Sequence, residues 1–275
     1  MADREGLLGA SQRKEPMSEI QRKQDDWKWQ WERFEDKERW LFEHWIWPNT
    51  MEDFRGKRVL DAGCGGGQHT SFVAPYAAEV VAVDLNALEV AKERTKQFSN
   101  IQYIEGDLAR VRFDQRFDIV YCIGVIHHTD SPDKTFENLA RQTKPGGRMI
   151  VWCYSHEGNF LNRVFVEGAK RGLLMKLPKP VLRTVSTLLT ALVSIPVYTI
   201  YLLPLKFLPY YEYFQNWRKL SFQRNDLNVF DKLNAPQTDF IKKDRVERWF
   251  HENGFRDVSV TAYVGVSWRA SGTKI

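Results

Sequence analysis

From residue 57 to residue 154, short apolar runs alternate with amphipathic stretches. The runs KRVLDA (57–62), EVVAVD (79–84), IQYI (101–104), FDIVYCI (117–123) and RMIVWCY (148–154) are short and rich in β-branched, aromatic and other apolar residues, which suits strands covered on both faces. Between them, NALEVAKERTKQF (86–98) and DKTFENLARQT (133–143) repeat their apolar residues at helical spacing, and Lys144-Pro145-Gly146-Gly147 makes a stop. This alternation predicts an α/β fold with a doubly wound, mostly parallel sheet. It breaks at 156 and resumes near 240, where RVERWFHENGF (245–255) reads as a helix. RDVSVTAY (256–263) and VSWRA (266–270), joined at Gly265, read as a strand pair giving a seven-stranded sheet an antiparallel edge.

The flanks differ in pattern. Residues 1–24 are polar and of mixed charge, and are expected to form a mobile tail. Residues 25–54 hold six of the ten tryptophans, with Trp27, Trp31, Phe34, Leu41, Phe42 and Trp45 at helical spacings, and predict an aromatic helix or helix pair ended by Pro48. That helix either packs its stripe on the domain or covers a ligand pocket. The predicted organisation is therefore tail, helical cap (25–54), α/β core (55–155), insert (156–239) and a closing helix and strand pair (240–275).

The first strand runs into Asp61-Ala62-Gly63-Cys64-Gly65-Gly66-Gly67, a loop whose glycines let backbone approach a ligand before a helix N-terminus. Strand two ends in Asp84, where a carboxylate can accept both hydroxyls of a ribose. Strand three is followed by Gly106-Asp107-Leu108, and an acid there can accept from an exocyclic amine. Three successive strand ends with these residues indicate a nucleotide-like ligand. The dinucleotide pattern G-x-G-x-x-G is not met, because Gln68 stands three positions after Gly65, which disfavours NAD and FAD.

VLDAGCGGGQHT, VAVD, GDL, FDIVYCIGVIHHTDSP and KPGGRMIV, in that order and spacing, resemble the successive motifs of class I S-adenosylmethionine-dependent methyltransferases over about residues 55–155. The 240–275 end resembles the last helix and strand pair of the same Rossmann-like fold. The resemblance implies S-adenosylmethionine as cofactor, a small-molecule acceptor and methyl transfer to it. It implies that Asp61, Gly63, Cys64 and Gly65 hold the methionine end, that Asp84 with Leu85 binds the ribose, that Asp107 with Leu108 frames the adenine, and that Ile123 and Gly124 flank the sulfonium. Methyl transfer from a sulfonium needs alignment and exclusion of water, and a base only where the nucleophile carries a proton. His128, where this family often has a histidine, and then His127 are the catalytic candidates, each with the alternative of shaping its loop. On an extended segment their side chains would point opposite ways.

Charge changes the picture only once it is localised. The net +5 divides into −4 over residues 1–54, +1 over 55–155, +7 over 156–225 and +1 over 226–275. The basic excess thus coincides with the insert, whose residues 184–205 form 22 consecutive uncharged positions containing six Ser or Thr and two prolines. Such a run is long enough to cross a bilayer but weakly hydrophobic for one. Two compatible readings remain: a helical lid walling the acceptor pocket, and an interfacial segment over about 163–224 whose basic flanks meet anionic headgroups. The acceptor is then expected to be apolar or membrane-borne, a lipid, isoprenoid or lipid-linked sugar. The alternatives are a soluble sugar or natural product and, further off, an RNA substrate or a non-catalytic cofactor-binding scaffold. Because the cations flank an apolar run, no nucleic-acid partner is expected. Cys64, Cys122 and Cys153 form no C-x-x-C pair, so no metal site is expected and a cytoplasmic setting fits, including the inner face of a membrane.

Overall fold

A computed structural model describes residues 27–33 and 37–275, apart from the Arg171 side chain; the predicted tail and Phe34 lie outside the described residues. Residues 27–33 form helix α1. Helix α2 (Arg39–Ile46) and a 3₁₀ turn (Met51–Phe54) complete the predicted cap. The alternating core follows as β1 (Arg58–Ala62), α3 (Gln68–Val73), β2 (Glu79–Asp84), α4 (Leu88–Arg94), β3 (Ile101–Glu105), β4 (Phe117–Ile123), α5 (Pro132–Gln142) and β5 (Thr143–Tyr154).

The strands form one seven-stranded sheet. With the closing strands β6 (Phe255–Tyr263) and β7 (Ser267–Lys274), its order is β3-β2-β1-β4-β5-β7-β6. β1 to β5 pair in parallel, while β7 runs antiparallel to both β5 and β6. Within the closing pair it is thus the inner strand that is reversed, because a hairpin returning to β5 must bring its second strand alongside.

Alternation along each strand sends side chains to two layers. Val59, Val80, Ile119, Tyr121, Ile150 and Trp152 meet α2, the 51–54 turn and α3 on one face. Leu60, Val81, Val120, Cys122, Met149 and Val151 meet α5 and helix α10 (Lys243–Glu252) on the other. All three cysteines are buried free thiols.

The insert leaves the sheet at Ser155 and returns at Ile241, which pair as a parallel bridge, so its two ends meet at one point of the core. It comprises α6 (Glu167–Gly172), α7 (Lys179–Val197), α8 (Tyr211–Trp217) and α9 (Phe222–Asn234). Residues 230–236 look like a polar returning loop by composition, yet 230–234 are the end of α9. Leu227, Phe230 and Leu233 repeat at helical spacing on its buried face against Leu182 of α7, and that burial outweighs the polar residues between them.

Helix α7 buries hydroxyl groups beside its inner apolar residues and leaves an apolar stripe outside. Its buried residues include Ser186 and Thr190, while Leu188, Leu192 and Ile195 face outward, each about 60% exposed. The polar face turns inward because Asp226 of α9, almost fully buried, receives Ser186 Oγ at 2.6 Å, Thr187 Oγ1 at 3.1 Å and the Arg183 guanidinium. A buried carboxylate needs such partners, and removing it strands theirs. Asp226→Ala is expected to cost about 3–5 kcal/mol of local stability, read as earlier hydrogen exchange over 179–234 with β1–β5 protection unchanged.

Candidate active site

At the carboxyl edge of the sheet, the turn after β1 is a cradle that side chains would fill. Gly65 has φ +51°, and a Cβ there would lie 2.8 Å from the Trp31 indole; Gly67 has φ +79°, and a Cβ there would lie 2.9 Å from the Ala91 Cα. Only glycine fits either place. Gly63 N–H and Cys64 N–H both donate to the Val83 carbonyl at 2.9 Å, which ties the loop to the end of β2.

Two carboxyl groups face this loop with different chemistry. Asp84 accepts from the backbone N–H groups of Gly65 at 2.8 Å, Asn86 at 3.2 Å and Ala87 at 3.3 Å. Burial nonetheless holds its pKa above the ordinary carboxylate value, against those donors. Asp61, on the sheet face shared with Tyr121, is buried and accepts from Thr70 Oγ1 at 2.6 Å. Its burial pushes the carboxyl to about 7, opposed by the Thr70 hydroxyl and reinforced by the Asp84 charge. A carboxylate held at the edge of ionisation beside a glycine cradle suits a cationic ligand group, whose arrival favours the charged form.

The other predicted ligand residues are placed unequally. Leu85 is exposed beyond Asp84. Asp107 caps its own turn, accepting from Ala109 N–H at 2.9 Å, and its carboxylate stays largely exposed. Leu108 is a core residue, and its carbonyl is taken by Asn138 Nδ2 at 2.8 Å, so it offers a ligand little beyond its edge. Ile123 is buried at the end of β4, and Gly124 donates to the Trp152 carbonyl at 3.0 Å. Burial raises the Cys64 thiol well above its ordinary value, so it remains protonated and acts as a small packing residue with Ala82, Leu88 and Ala91.

His127 and His128 lie on a 3₁₀ turn (Ile126–His128), not on extended chain, so their rings do not diverge: the centroids are 4.1 Å apart. His127 is fully buried between His128 and Tyr154, and neither ring nitrogen has a hydrogen-bond partner among the described residues. Burial depresses its pKa far enough to keep it neutral. The His128 ring sits 2.7 Å through Nδ1 from the Gln237 carbonyl. A carbonyl only accepts, so Nδ1 carries the proton and Nε2 keeps its lone pair. Burial lowers the pKa of His128 as well, which leaves it a neutral base.

The elements that arm this histidine come from the insert and the cap. Asp239 N–H donates to the His127 carbonyl at 2.7 Å, and Gln237 Nε2 donates to the Thr129 carbonyl at 2.6 Å, so the returning loop is strapped along the histidine turn. Tyr154 Oη donates to Asp231 Oδ2 at 3.0 Å, and Gln30 Nε2 of α1 donates to Asp231 Oδ1 at 3.0 Å. Trp27 packs on His128 with centroids 4.8 Å apart. Of the two readings of the aromatic cap, α1 thus covers the glycine loop and the histidines, while α2 packs its stripe on the sheet. Composition around 237 gives no signal for this strap, since a backbone carbonyl has no residue identity; the helical tryptophan spacing is what points to the cap.

Beside Tyr154 and Trp152 opens a cavity of about 330 Å³. It is walled by α2 and β5 on the core side and by α7, α8 and α9 on the other, largely with apolar and aromatic groups. The size is that of a small-ligand site.

Residues 60–151 match the model of a methyltransferase domain. An uncharacterized protein of Synechococcus is 32% identical over 156 residues, 46% of this chain and 36% of that protein. The ubiquinone biosynthesis O-methyltransferase of Coxiella burnetii is 38% identical over 100 residues, 35% of this chain and 43% of the enzyme. The chain spans less than half the length of these curated relatives. Among solved structures, the N-methyltransferase NodS of Bradyrhizobium japonicum with S-adenosyl-L-homocysteine superposes with TM-score 0.50 at 10% identity, over 92% of this chain and 98% of that one. The magnesium protoporphyrin IX methyltransferase of Synechocystis, also with S-adenosylhomocysteine, gives 0.50 at 13% over 94% and 89%. Those likenesses speak for the fold. Glycine cradle and strand-end acids lie within the matched segment, so residues 60–151 form a methyltransferase domain of the class I S-adenosylmethionine-dependent kind.

Proposed function

We propose that this protein transfers the methyl group of S-adenosylmethionine to an apolar, membrane-borne small molecule held in the cavity beside Tyr154. The residues present fit the cofactor: the glycine cradle admits close backbone approach, Asp84 faces the loop as a ribose acceptor, and Asp61 suits a cationic methionine end. When bound, the cofactor supplies an electrophilic methyl on sulfur. The chain supplies position and protons. The floor of the crevice at Ile123 and Gly124 adjoins Trp152, which also lines the cavity, so one residue joins the acceptor pocket to the cofactor crevice. His128, one ring removed from the cavity behind His127 and Tyr154, keeps an Nε2 lone pair for the proton of a hydroxyl acceptor that reaches the histidine turn, and α1 covers that turn through Trp27.

The single observation that carries the membrane-borne part is the exposed apolar stripe of helix α7. It is the one helix among the described residues long and apolar enough to cross a bilayer, with mean hydropathy 1.5, and only 22% of its apolar window is buried. Its outer stripe joins exposed Ile200, Leu202, Leu203 and Phe207 beyond the helix, and Lys179, Arg183 and Lys206 flank the run. Leu189 and Val193 of the same helix line the cavity, so one element forms both the pocket wall and the apolar surface. Lying in the interface, for example on a cytoplasmic leaflet, is the arrangement that hides this stripe while leaving the sheet in water.

In the decisive experiment, the full chain is floated with vesicles of phosphatidylglycerol and phosphatidylcholine, and supplied with radiolabelled S-adenosylmethionine and a lipid extract. Recovery with anionic vesicles at low salt and label in the organic phase are expected. Leu188→Gln/Leu192→Gln/Ile195→Gln should lower vesicle binding by about 100-fold, given roughly 1.5–3 kcal/mol per side chain when fully buried and a fraction of that at an interface. Binding that the triple variant leaves unchanged, or label recovered only in water-soluble products, would overturn the membrane-borne acceptor.

A further inference from the structure

The cavity has a chemical bias that neither its apolar walls nor the fold explains. Among the described residues that line it, Lys232 of α9 carries the only charged side chain. Its ammonium lies over two aromatic rings of the wall, 5.6 Å from the Tyr154 centroid and 5.5 Å from the Tyr213 centroid. Its hydrogen bonds are long and neutral, 3.3 Å to the Asn228 carbonyl and 3.4 Å to Tyr213 Oη. It makes no ion pair among the described residues. The neighbouring carboxylate, Asp231, accepts from Tyr154 and Gln30 instead, one through each oxygen.

A half-buried ammonium without a carboxylate is an unusual thing to build into an aromatic wall, because burial of charge costs free energy unless a counter-charge is present. A second cation, the Arg224 guanidinium, lies 5.8 Å over the ring of Trp45, which lines the same cavity. The remaining polar lining is amide, phenol, indole and the Ser267 hydroxyl, all neutral. Aromatic faces without a cation would suit an ammonium ligand. With Lys232 already over two of them, a cationic ligand is repelled, and the missing partner is an anion.

Flat walls constrain its shape. Trp45 and Trp152 stand 4.6 Å apart between centroids, and Tyr213 and Trp217 are 6.1 Å apart across the other side of the lining. Aromatic surfaces of this kind favour a planar ring stacked or edge-on.

We infer that Lys232 is a specificity-determining residue that recognises an acidic oxygen group, a carboxylate or phenolate, on a planar unsaturated acceptor. This rests on the proposed function only in naming the occupant as the methyl acceptor; the anion preference of the cavity stands by itself. It also narrows the acceptor to a molecule with a charged head on a flat ring, any lipid tail lying toward α7.

Three probes of one shape and different charge test it by calorimetry on the full chain: 2-naphthoate, 2-naphthamide and 2-naphthylmethylamine. Naphthoate is expected to bind at least about tenfold more tightly than the amide, the increment of one charge-assisted hydrogen bond, and the amine most weakly. Lys232→Gln should bring naphthoate down to the affinity of the amide and leave the amide within about twofold, while Lys232→Arg should restore the preference. Equal affinity of the wild-type protein for naphthoate and naphthamide, or naphthoate binding unchanged in Lys232→Gln, would overturn the inference. Because the probe ranking on the wild-type protein needs no variant, misfolding of Lys232→Gln does not blunt the test. S-adenosylmethionine binding measured in the same cell separates the two readings: naphthoate bound without cofactor affinity removes the methyltransferase proposal and keeps the Lys232 assignment, and the converse removes only the latter.

Discussion

His128→Asn is expected to lower turnover by about 10²–10⁴-fold, the usual contribution of a positioned general base, with S-adenosylmethionine affinity unchanged. Asparagine is the informative replacement because its Nδ2 occupies the place of the imidazole Nδ1. It can therefore keep the 2.7 Å contact with the Gln237 carbonyl and the strap along the histidine turn, while losing the Nε2 lone pair. A loss of rate with an intact strap assigns the effect to proton abstraction. Full turnover in His128→Asn would show that the acceptor reacts without a base. The wild-type pH profile gives an independent reading. Burial lowers the pKa of His128 below 6.5, so the rate should rise with pH on the acid side and be flat through neutrality.

At Asp61 stability and binding should move in opposite directions. The carboxyl ordinarily titrates near 3.8 and in the fold near 7. Between those values the folded protein holds a proton that the unfolded chain has released, so stability falls as pH rises through this window and is flat above it. Asp61→Asn keeps an acceptor for the Thr70 hydroxyl and removes the buried charge. It is expected to unfold later than the parent at pH 8, by roughly 2–4 kcal/mol, with the difference vanishing as pH approaches 4. The same variant should bind S-adenosylmethionine about 100-fold more weakly, because a charged partner of the methionine end is gone. Wild-type affinity should itself rise with pH up to about 7, since the bound cation favours the ionised acid. Titration calorimetry at pH 6 and 8 and thermal unfolding at pH 5 and 8 check both halves. A variant that neither gains stability at pH 8 nor loses affinity would mean that Asp61 faces no cation.

The α/β core was legible because its signals are local. Strands buried on both faces must be apolar along their length, and the turns that bring backbone to a ligand must be glycine, so residues 57–154 show both in one dimension. For the same reason Asp61, Asp84 and the glycine loop were found together, each fixed by its distance from a strand end. The closing pair was visible as two strands, but not which of them is the reversed inner neighbour of β5, since pairing partners are chosen across the sheet.

The insert shows where one-dimensional reading stops. Its apolar run and basic flanks are plain in residues 163–224, and the chain alone sets that they coincide. Which side of α7 faces inward depends on Asp226, forty residues away, whose buried carboxylate draws Ser186, Thr187 and Arg183 and so turns Leu188, Leu192 and Ile195 out. The histidine pair follows the same rule. Sequence put two histidines at the crevice; the Gln237 carbonyl, which any residue would carry, decided which nitrogen holds the proton and hence which ring is a competent base. Sequence by itself determined the fold, the glycine turn with its two strand-end acids and the amphipathic make-up of the insert, because burial periodicity and glycine geometry are written residue by residue. Tertiary structure decided protonation, tautomer, the direction in which α7 faces and the charge of the cavity beside Tyr154, because each is set by partners far apart in the chain.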